Sequence, residues 1–158
     1  MMIIPTLVTD FTTLIMIEVI FYDPDFLPGN KLIYSVIAAR YEDKWVFVRH
    51  HQRNTFEIPG GHIEENETPD EAAKRELIEE TGAIKFDLKC ISTYSVTQEG
   101  ETRFGKLYLA YIYEIGPIPD VSEIKEITFL NNLPNPVTYP EIQPFLFKKV
   151  LAYLKADI

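Results

Sequence analysis

Apolar and polar positions alternate along most of this chain at the strand period of two, and in only two places at the helical period. Residues 31–40 (KLIYSVIAAR) form an almost unbroken apolar run, as expected for a central strand buried on both faces. Tyr41-Glu42-Asp43-Lys44 is a turn, and residues 45–48 are its hairpin partner. Residues 84–96 read as one strand, with Phe86, Leu88, Cys90 and Ser92 on one side. Gln98-Glu99-Gly100-Glu101 is the next turn, and residues 106–115 (KLYLAYIYEI) form another strong strand. Gly116-Pro117-Ile118-Pro119 breaks it, and residues 123–129 make a last short strand. Near the start, residues 12–21 read as a strand ahead of turns at Asp23-Pro24 and Pro28-Gly29-Asn30.

The helical period occurs in two segments. Residues 139–154 place Ile142, Leu146, Val150 and Leu154 on one face, with Pro140 in the first turn and Pro144 as a strain point or a later start. The other helix starts at Thr68-Pro69-Asp70-Glu71. Thr68 can cap free N–H groups, Glu71 three residues on completes a capping box, and Pro69 stands where a missing N–H costs nothing. Asp70 and Glu71 put negative charge at the positive end of the dipole, and Gly82 supplies the left-handed stop. Strands with two helices predict an α/β class, a mixed sheet between helices on its two faces.

That first helix carries Glu76, Glu79 and Glu80 at i, i+3 and i+4, where like charges repel. A solvated acidic face is the plain reading. A hard cation reverses the sign of the repulsion, and Mg²⁺ takes carboxylate and water oxygens together with substrate phosphates. Gly60 and Gly61 open the stretch and allow close backbone approach, with a glycine carbonyl, that of Gly60 or Gly61, as a further ligand.

From Gly61 to Gly82 the stretch resembles the Nudix box, G-x5-E-x7-R-E-U-x-E-E-x-G-U with U a bulky aliphatic. Gly61, Glu67, Arg75, Glu76, Leu77, Glu79, Glu80 and Gly82 all fall in place. Seven fixed matches by chance have odds on the order of one in 10⁸ per start position. The departure is Ala83 in place of a bulky aliphatic, with Ile84 next to fill that space. The lead-in Phe56-Glu57-Ile58-Pro59-Gly60-Gly61 is similar too. The resemblance implies an α/β/α sandwich and hydrolysis of a nucleoside diphosphate linked to another group. It implies Glu76, Glu79 and Glu80 as catalytic ligands of Mg²⁺ or Mn²⁺, and a salt bridge from Glu67 to Arg75 that ties the loop to the helix. It also implies an assisting glutamate outside the box, with Glu123 preferred over Glu126. Arg75 directly precedes Glu76 and is expected to point to another side of the helix.

Upstream lies the polar loop Arg49-His50-His51-Gln52-Arg53-Asn54. Adjacent histidines on a strand point to opposite faces, so this pair reads as structural rather than chelating. Arg49 and Arg53 lead into the glycine turn and are candidates for substrate phosphate. Aromatic candidates for stacking a base are Phe56, Tyr94, Phe104 and Tyr139. Asn135, Glu141 and Gln143 are the polar residues near the last helix that could read it.

Composition narrows the partners. The 158 residues suit one domain spanning 1–158, and 46% hydrophobic content supports a core. A formal charge of −9 argues against a nucleic-acid polymer as partner but not against a small nucleotide, whose phosphates bound cations would neutralise. Cys90 is the only cysteine and reads as a small buried hydrophobe, in keeping with a reducing, cytoplasmic setting. The apolar stretch 1–22 lacks a basic start and is interrupted by Asp10 and Glu18, so no membrane anchor is expected. A monomer and a homodimer are both compatible with it. On substrate, the extra marks of the ADP-ribose, NADH and coenzyme A types of the resembled family are missing. That leaves a (d)NTP or an oxidised (d)NTP such as 8-oxo-dGTP, split to the monophosphate and pyrophosphate. Hydrolysis of a dinucleotide, ADP-ribose or nucleotide sugar, or nucleotide sensing without turnover, are the alternatives. The intact acids of the box weigh against the last.

Overall fold

A computed structural model describes residues 2–7 and 14–156. In chain order the strands are β1 (Met2–Leu7), β2 (Leu14–Tyr22), β3 (Leu32–Tyr41), β4 (Lys44–His50), β5 (Gly60–His62), β6 (Ala83–Gln98), β7 (Glu101–Ile115) and β8 (Ile124–Leu130). The helices are α1 (Pro69–Thr81) and α2 (Gln143–Ala156). Among the described residues the strands form one sheet, ordered β1-β2-β6-β7-β3-β4-β8, with β5 added beside β3. Among the described strand pairs only the central β3–β7 pair is parallel.

The period of two assigns each strand's residues to two cores. Ile37 and Ala39 of β3, Val46 of β4, and Tyr108, Ala110 and Ile112 of β7 face α1, where Ala73 and Leu77 pack. Ala38, Trp45, Phe47, Leu107 and Leu109 face the other way and meet Leu146, Phe147 and Val150 of α2. The result is the expected α/β/α sandwich with a mixed sheet between helices. Central strands that touch both layers bury apolar side chains on either face, which is why 31–40 shows almost no alternation.

Several boundaries differ from the sequence expectation. The strand expected over 12–21 is described as Leu14–Tyr22, its first two expected positions lying outside the described residues. The 98–101 turn is tight, so β6 and β7 run longer than predicted and pair from Ala83↔Ile115 to Gln98↔Glu101. The glycine turn at 60–61 is itself a short strand on β3. The last helix starts at Gln143, four residues late, because Tyr139 adopts φ +51°, a conformation no helix accepts. Pro144 therefore sits in the first turn rather than breaking an established one. Ile84 does not fill the place of Ala83 either. It is exposed over Gly116, while Ala83 is buried in a cluster closed by Phe86 and Ile112.

The late start of α2 leaves the end of the sheet near Tyr34, Tyr94 and Arg103 uncovered, and a cleft of about 820 Å³ opens there.

Candidate active site

Helix α1 brings Glu76 and Glu80 to this cleft, and local chemistry fixes its two ends. Thr68 Oγ1 accepts from the Glu71 N–H at 3.1 Å, and the Glu71 side chain accepts from the Thr68 N–H at 3.1 Å. Gly82 closes the helix at φ +76°, and its N–H donates to the Ile78 carbonyl. Ala72, Ala73 and Leu77 anchor the helix in the core. Glu76 and Glu80 then project into the cleft.

The glycine turn presses against this pair. A Cβ on Gly60 would lie 2.6 Å from the Ser35 carbonyl oxygen, and one on Gly61 would lie 2.3 Å from Glu76 Oε1. Both positions therefore need glycine for space. The Gly60 N–H donates to Glu80 Oε1 at 2.8 Å, which ties β5 to α1. For G61A we expect the Glu76 carboxylate to be pushed aside, with kcat/KM down at least about tenfold and little loss of stability. Steady-state kinetics and a melting curve check both halves.

Arg75 is the hub of the acidic stretch. Its Nε and Nη2 grip Glu67 at 2.7 and 2.9 Å, and Nη2 also donates to the His62 carbonyl at 3.1 Å. Its Nη1 reaches Glu76 at 2.9 Å and Glu79 at 3.3 Å. The expectation that Arg75 points away from the other acids is thus corrected: its long side chain folds back across them. The bidentate bond to Arg75 holds the Glu67 carboxyl below its usual range. Glu79 is turned to Arg75 on the flank of the helix and does not line the cleft. With Glu76 and Glu79 drawn to the guanidinium, no three acidic, histidine or cysteine side chains among the described residues converge as a closed cation cage.

Glu80 behaves differently. It is only 5% exposed, and burial pushes its carboxyl up to about 8, with Glu76, Glu57 and Glu123 adding repulsion. The Gly60 N–H only partly offsets this. Burial likewise raises Glu76, against the pull of Arg75. His50 Nε2 lies 3.3 Å from Glu80 and 3.8 Å from Glu57, and its Nδ1 lies 4.0 Å from Glu123. A buried carboxylate ringed by further carboxylates beside a backbone turn is a donor set that suits a hard divalent cation.

The other walls are apolar and aromatic. Val36, Tyr94 and Val96 from the sheet line it, as do Tyr139, Ile142 and Leu146 from the α2 side. Gln143 is buried with its Oε1 accepting from the Ile58 N–H at 2.8 Å. Arg53 pairs with buried Glu57, donates to Tyr139 Oη at 3.2 Å and lies over that ring.

Residues 31–142 match the family model described as the NUDIX domain. The chain belongs to the Nudix family. A Bacillus subtilis relative, YtkD, provisionally named an 8-oxo-dGTP diphosphatase, is 30% identical over 132 residues, covering 84% of this chain and 82% of that protein. A Sulfurovum protein named RNA pyrophosphohydrolase is 30% identical over 143 residues, 78% of this chain and 82% of its own. Among solved structures, a mutant of the B. subtilis pyrophosphohydrolase BsRppH superposes with a TM-score of 0.70 at 26% identity, covering 88% of this chain and 92% of that one.

For this Nudix hydrolase the cleft gathers Gly60, Glu76, Glu80, Glu123, Arg53, Tyr94 and Tyr139 of the sequence candidates. It does not gather Arg49, which is held by Glu126 at 3.0 Å outside the cleft, and so Glu126 is removed with it. Phe56 packs against the α2-side core, and Phe104 lies beside Tyr22. His50 was missed as a site residue. The β4–β8 register shifts between Arg49 and His50, so strict alternation along the loop misplaces its side chain. Glu57 was missed because one acid in an apolar lead-in carries no period. Among the described residues, no helix is long and apolar enough to cross a membrane.

Proposed function

We propose that this enzyme hydrolyses the phosphoanhydride of a nucleoside triphosphate between its α and β phosphates, releasing the monophosphate and pyrophosphate. The substrate is a (d)NTP or an oxidised (d)NTP such as 8-oxo-dGTP. The observation that carries the reading is the acid cluster around buried Glu80, in a cleft of about 820 Å³ that Val36, Tyr94, Val96 and Tyr139 also line. Glu76, Glu80 and a Gly60 carbonyl, with Glu79 once it leaves Arg75, hold one or more Mg²⁺ or Mn²⁺ ions. Bound divalent ions neutralise the phosphates and lower the pKa of water. Glu123 at the rim, beside His50, assists as base or ligand. Arg53, oriented by Glu57, reaches the phosphates with its free N–H groups. The base lies between Tyr94 and Tyr139. Glu67 and Arg75 hold the loop to the helix. Names among the relatives favour a second reading, in which the triphosphate is the 5′ end of an RNA. That reading reopens nucleic acid as a partner despite the acidic charge, because only the end of the strand need enter the cleft.

A substrate panel tests this: canonical and oxidised (d)NTPs, 5′-triphosphorylated RNA, ADP-ribose, dinucleoside polyphosphates and nucleotide sugars with Mg²⁺, the products separated by chromatography. Turnover confined to ADP-ribose or a nucleotide sugar would overturn the triphosphate reading.

The raised Glu80 carboxyl makes a further prediction. Its folded value of about 8 exceeds the ordinary 4.5, so the associated stability is full below about 4.5 and is lost as pH rises through about 8. Without divalent ions the melting temperature should fall between about pH 5 and pH 8 and level off above that. With Mg²⁺ present the fall should shrink, because the ion binds the ionised cluster. A melting temperature equally pH-dependent with and without the ion would count against the cluster as a cation site.

A further inference from the structure

Strand β6 is covered on its outer edge for only half of its length. Strand β2 runs along it from Gln98 to Thr93, where Tyr22 is the last partner. From Ser92 back to Ile84 that edge meets no further strand among the described residues, while β7 pairs the inner edge over the same stretch. A strand edge of this kind turns a row of backbone N–H and C=O groups outward, a template for another strand.

The side chains along this edge alternate. Phe86, Leu88 and Cys90 are half-buried and pack on the core under α1. Asp87 and Lys89, opposite Tyr111 and Leu109 of β7, are exposed on the α2 face. Asp87 accepts from the Tyr113 hydroxyl at 2.6 Å, and the Lys89 ammonium lies 5.4 Å from the centre of the Tyr153 ring. A hollow of about 220 Å³ bounded by Asp87, Lys89, Tyr111 and Tyr153 lies beside them, and Tyr113 is 63% exposed. Exposed aromatic side chains of this sort are enriched where proteins meet one another.

We propose that two copies of this chain pair β6 against β6, antiparallel about a two-fold axis at Leu88, and so join their sheets into one. Three features select that axis. Leu88 is the midpoint of the open stretch, so Ile84 faces Ser92 of the second copy and each segment ends where β2 of the other begins. The β6–β7 ladder is regular from Phe86 to Cys90, its register shifts lying outside those residues. Asp87 faces Lys89 of the second copy, twice over, and directly opposed unlike charges attract. An axis at Asp87 would instead set Asp87 against its own copy. The formal charge of −9 on each chain opposes association, and the paired stretch is short, so the dissociation constant falls in the micromolar range. The cleft stays open in the pair, because the β6 residues that line it, Tyr94, Val96 and Gln98, lie beyond Thr93. The pairing is therefore independent of the reaction proposed above.

Sedimentation velocity tests this over roughly 1–200 µM protein, a span that brackets micromolar affinity, for the parent, D87K, K89D and the double variant D87K/K89D. Both side chains are exposed, so the variants should fold, and melting curves check that they do. The parent should pass from monomer to dimer. Each single variant sets like charges against each other and should weaken the dimer at least about tenfold. The double variant exchanges the two charges and should bring the affinity back to within about threefold of the parent, and so should an equimolar mixture of the two single variants. A parent that stays monomeric throughout overturns the proposal, and so does one that grows past the dimer, because the two-fold pairing consumes the edge. Single variants that dimerise like the parent, or a double variant that stays as weak as the singles, overturn it as well.

Discussion

E80Q is expected to lower kcat by on the order of 10²–10³-fold while making the metal-free protein more stable at alkaline pH. The two effects have one cause. Glu80 sits 5% exposed among Glu57, Glu76 and Glu123, a place that penalises a lone negative charge. Glutamine keeps an oxygen for the Gly60 N–H and removes the charge. It would also remove a ligand of the proposed divalent-ion site. The stability gain should be small near pH 5 and grow until about pH 8, where Glu80 of the parent ionises. Its size should be on the order of a few kcal/mol, or several degrees in the melting temperature for a chain of this length. Calorimetry across pH without divalent ions, together with initial rates, checks both signs. A variant destabilised at all pH values would show that Glu80 serves the fold rather than the chemistry.

R75A should be the most damaging single change in the acidic stretch, costing about 3–5 kcal/mol. The guanidinium makes two bonds to Glu67, one each to Glu76 and Glu79, and one to the His62 carbonyl. The Glu67 and Glu76 side chains are both mostly buried, so removing Arg75 leaves two carboxylates without their counter-charge. The direction with pH follows from Glu67. Its folded carboxyl lies below the ordinary range, so its stabilisation is present above about 4.5 and fades as pH falls through the lower folded value. The gap between parent and R75A should therefore narrow toward about pH 3. Urea unfolding at neutral and acid pH measures it. A loss under about 1 kcal/mol at neutral pH would mean that the loop is held by its backbone bonds instead.

Where local chemistry decides structure, it can be read directly from the residues. Thr68, Pro69, Glu71 and Gly82 delimit α1 because capping and left-handed stops act within a few residues. The apolar run of β3 marks a strand covered on both faces. The acids of the box could be placed on one helix from spacing alone. What spacing could not convey is which of them a neighbour had taken. Arg75 is long enough to fold across its own helix, so Glu76 and Glu79 both bond to it, while Glu80 is turned instead to the Gly60 N–H and His50. Nor does a sequence record a register shift. His50 turns toward the acids because β4 and β8 slip by one residue there, a tertiary matter. The apolar stripe runs back toward Tyr139, but that residue's left-handed backbone keeps it out of α2, which starts later, beside Pro144. Arg103 is separated from its Tyr34 partner by 69 positions, and only the parallel pairing of β3 and β7 brings them together.

Phosphorus NMR of the pure protein with Mg²⁺ and a nucleoside triphosphate tests the central claim most directly. The triphosphate signals should give way to a monophosphate and pyrophosphate, with no change when the divalent ion is chelated and almost none with E80Q. Release of a nucleoside diphosphate and inorganic phosphate, or full turnover by E80Q, would contradict it.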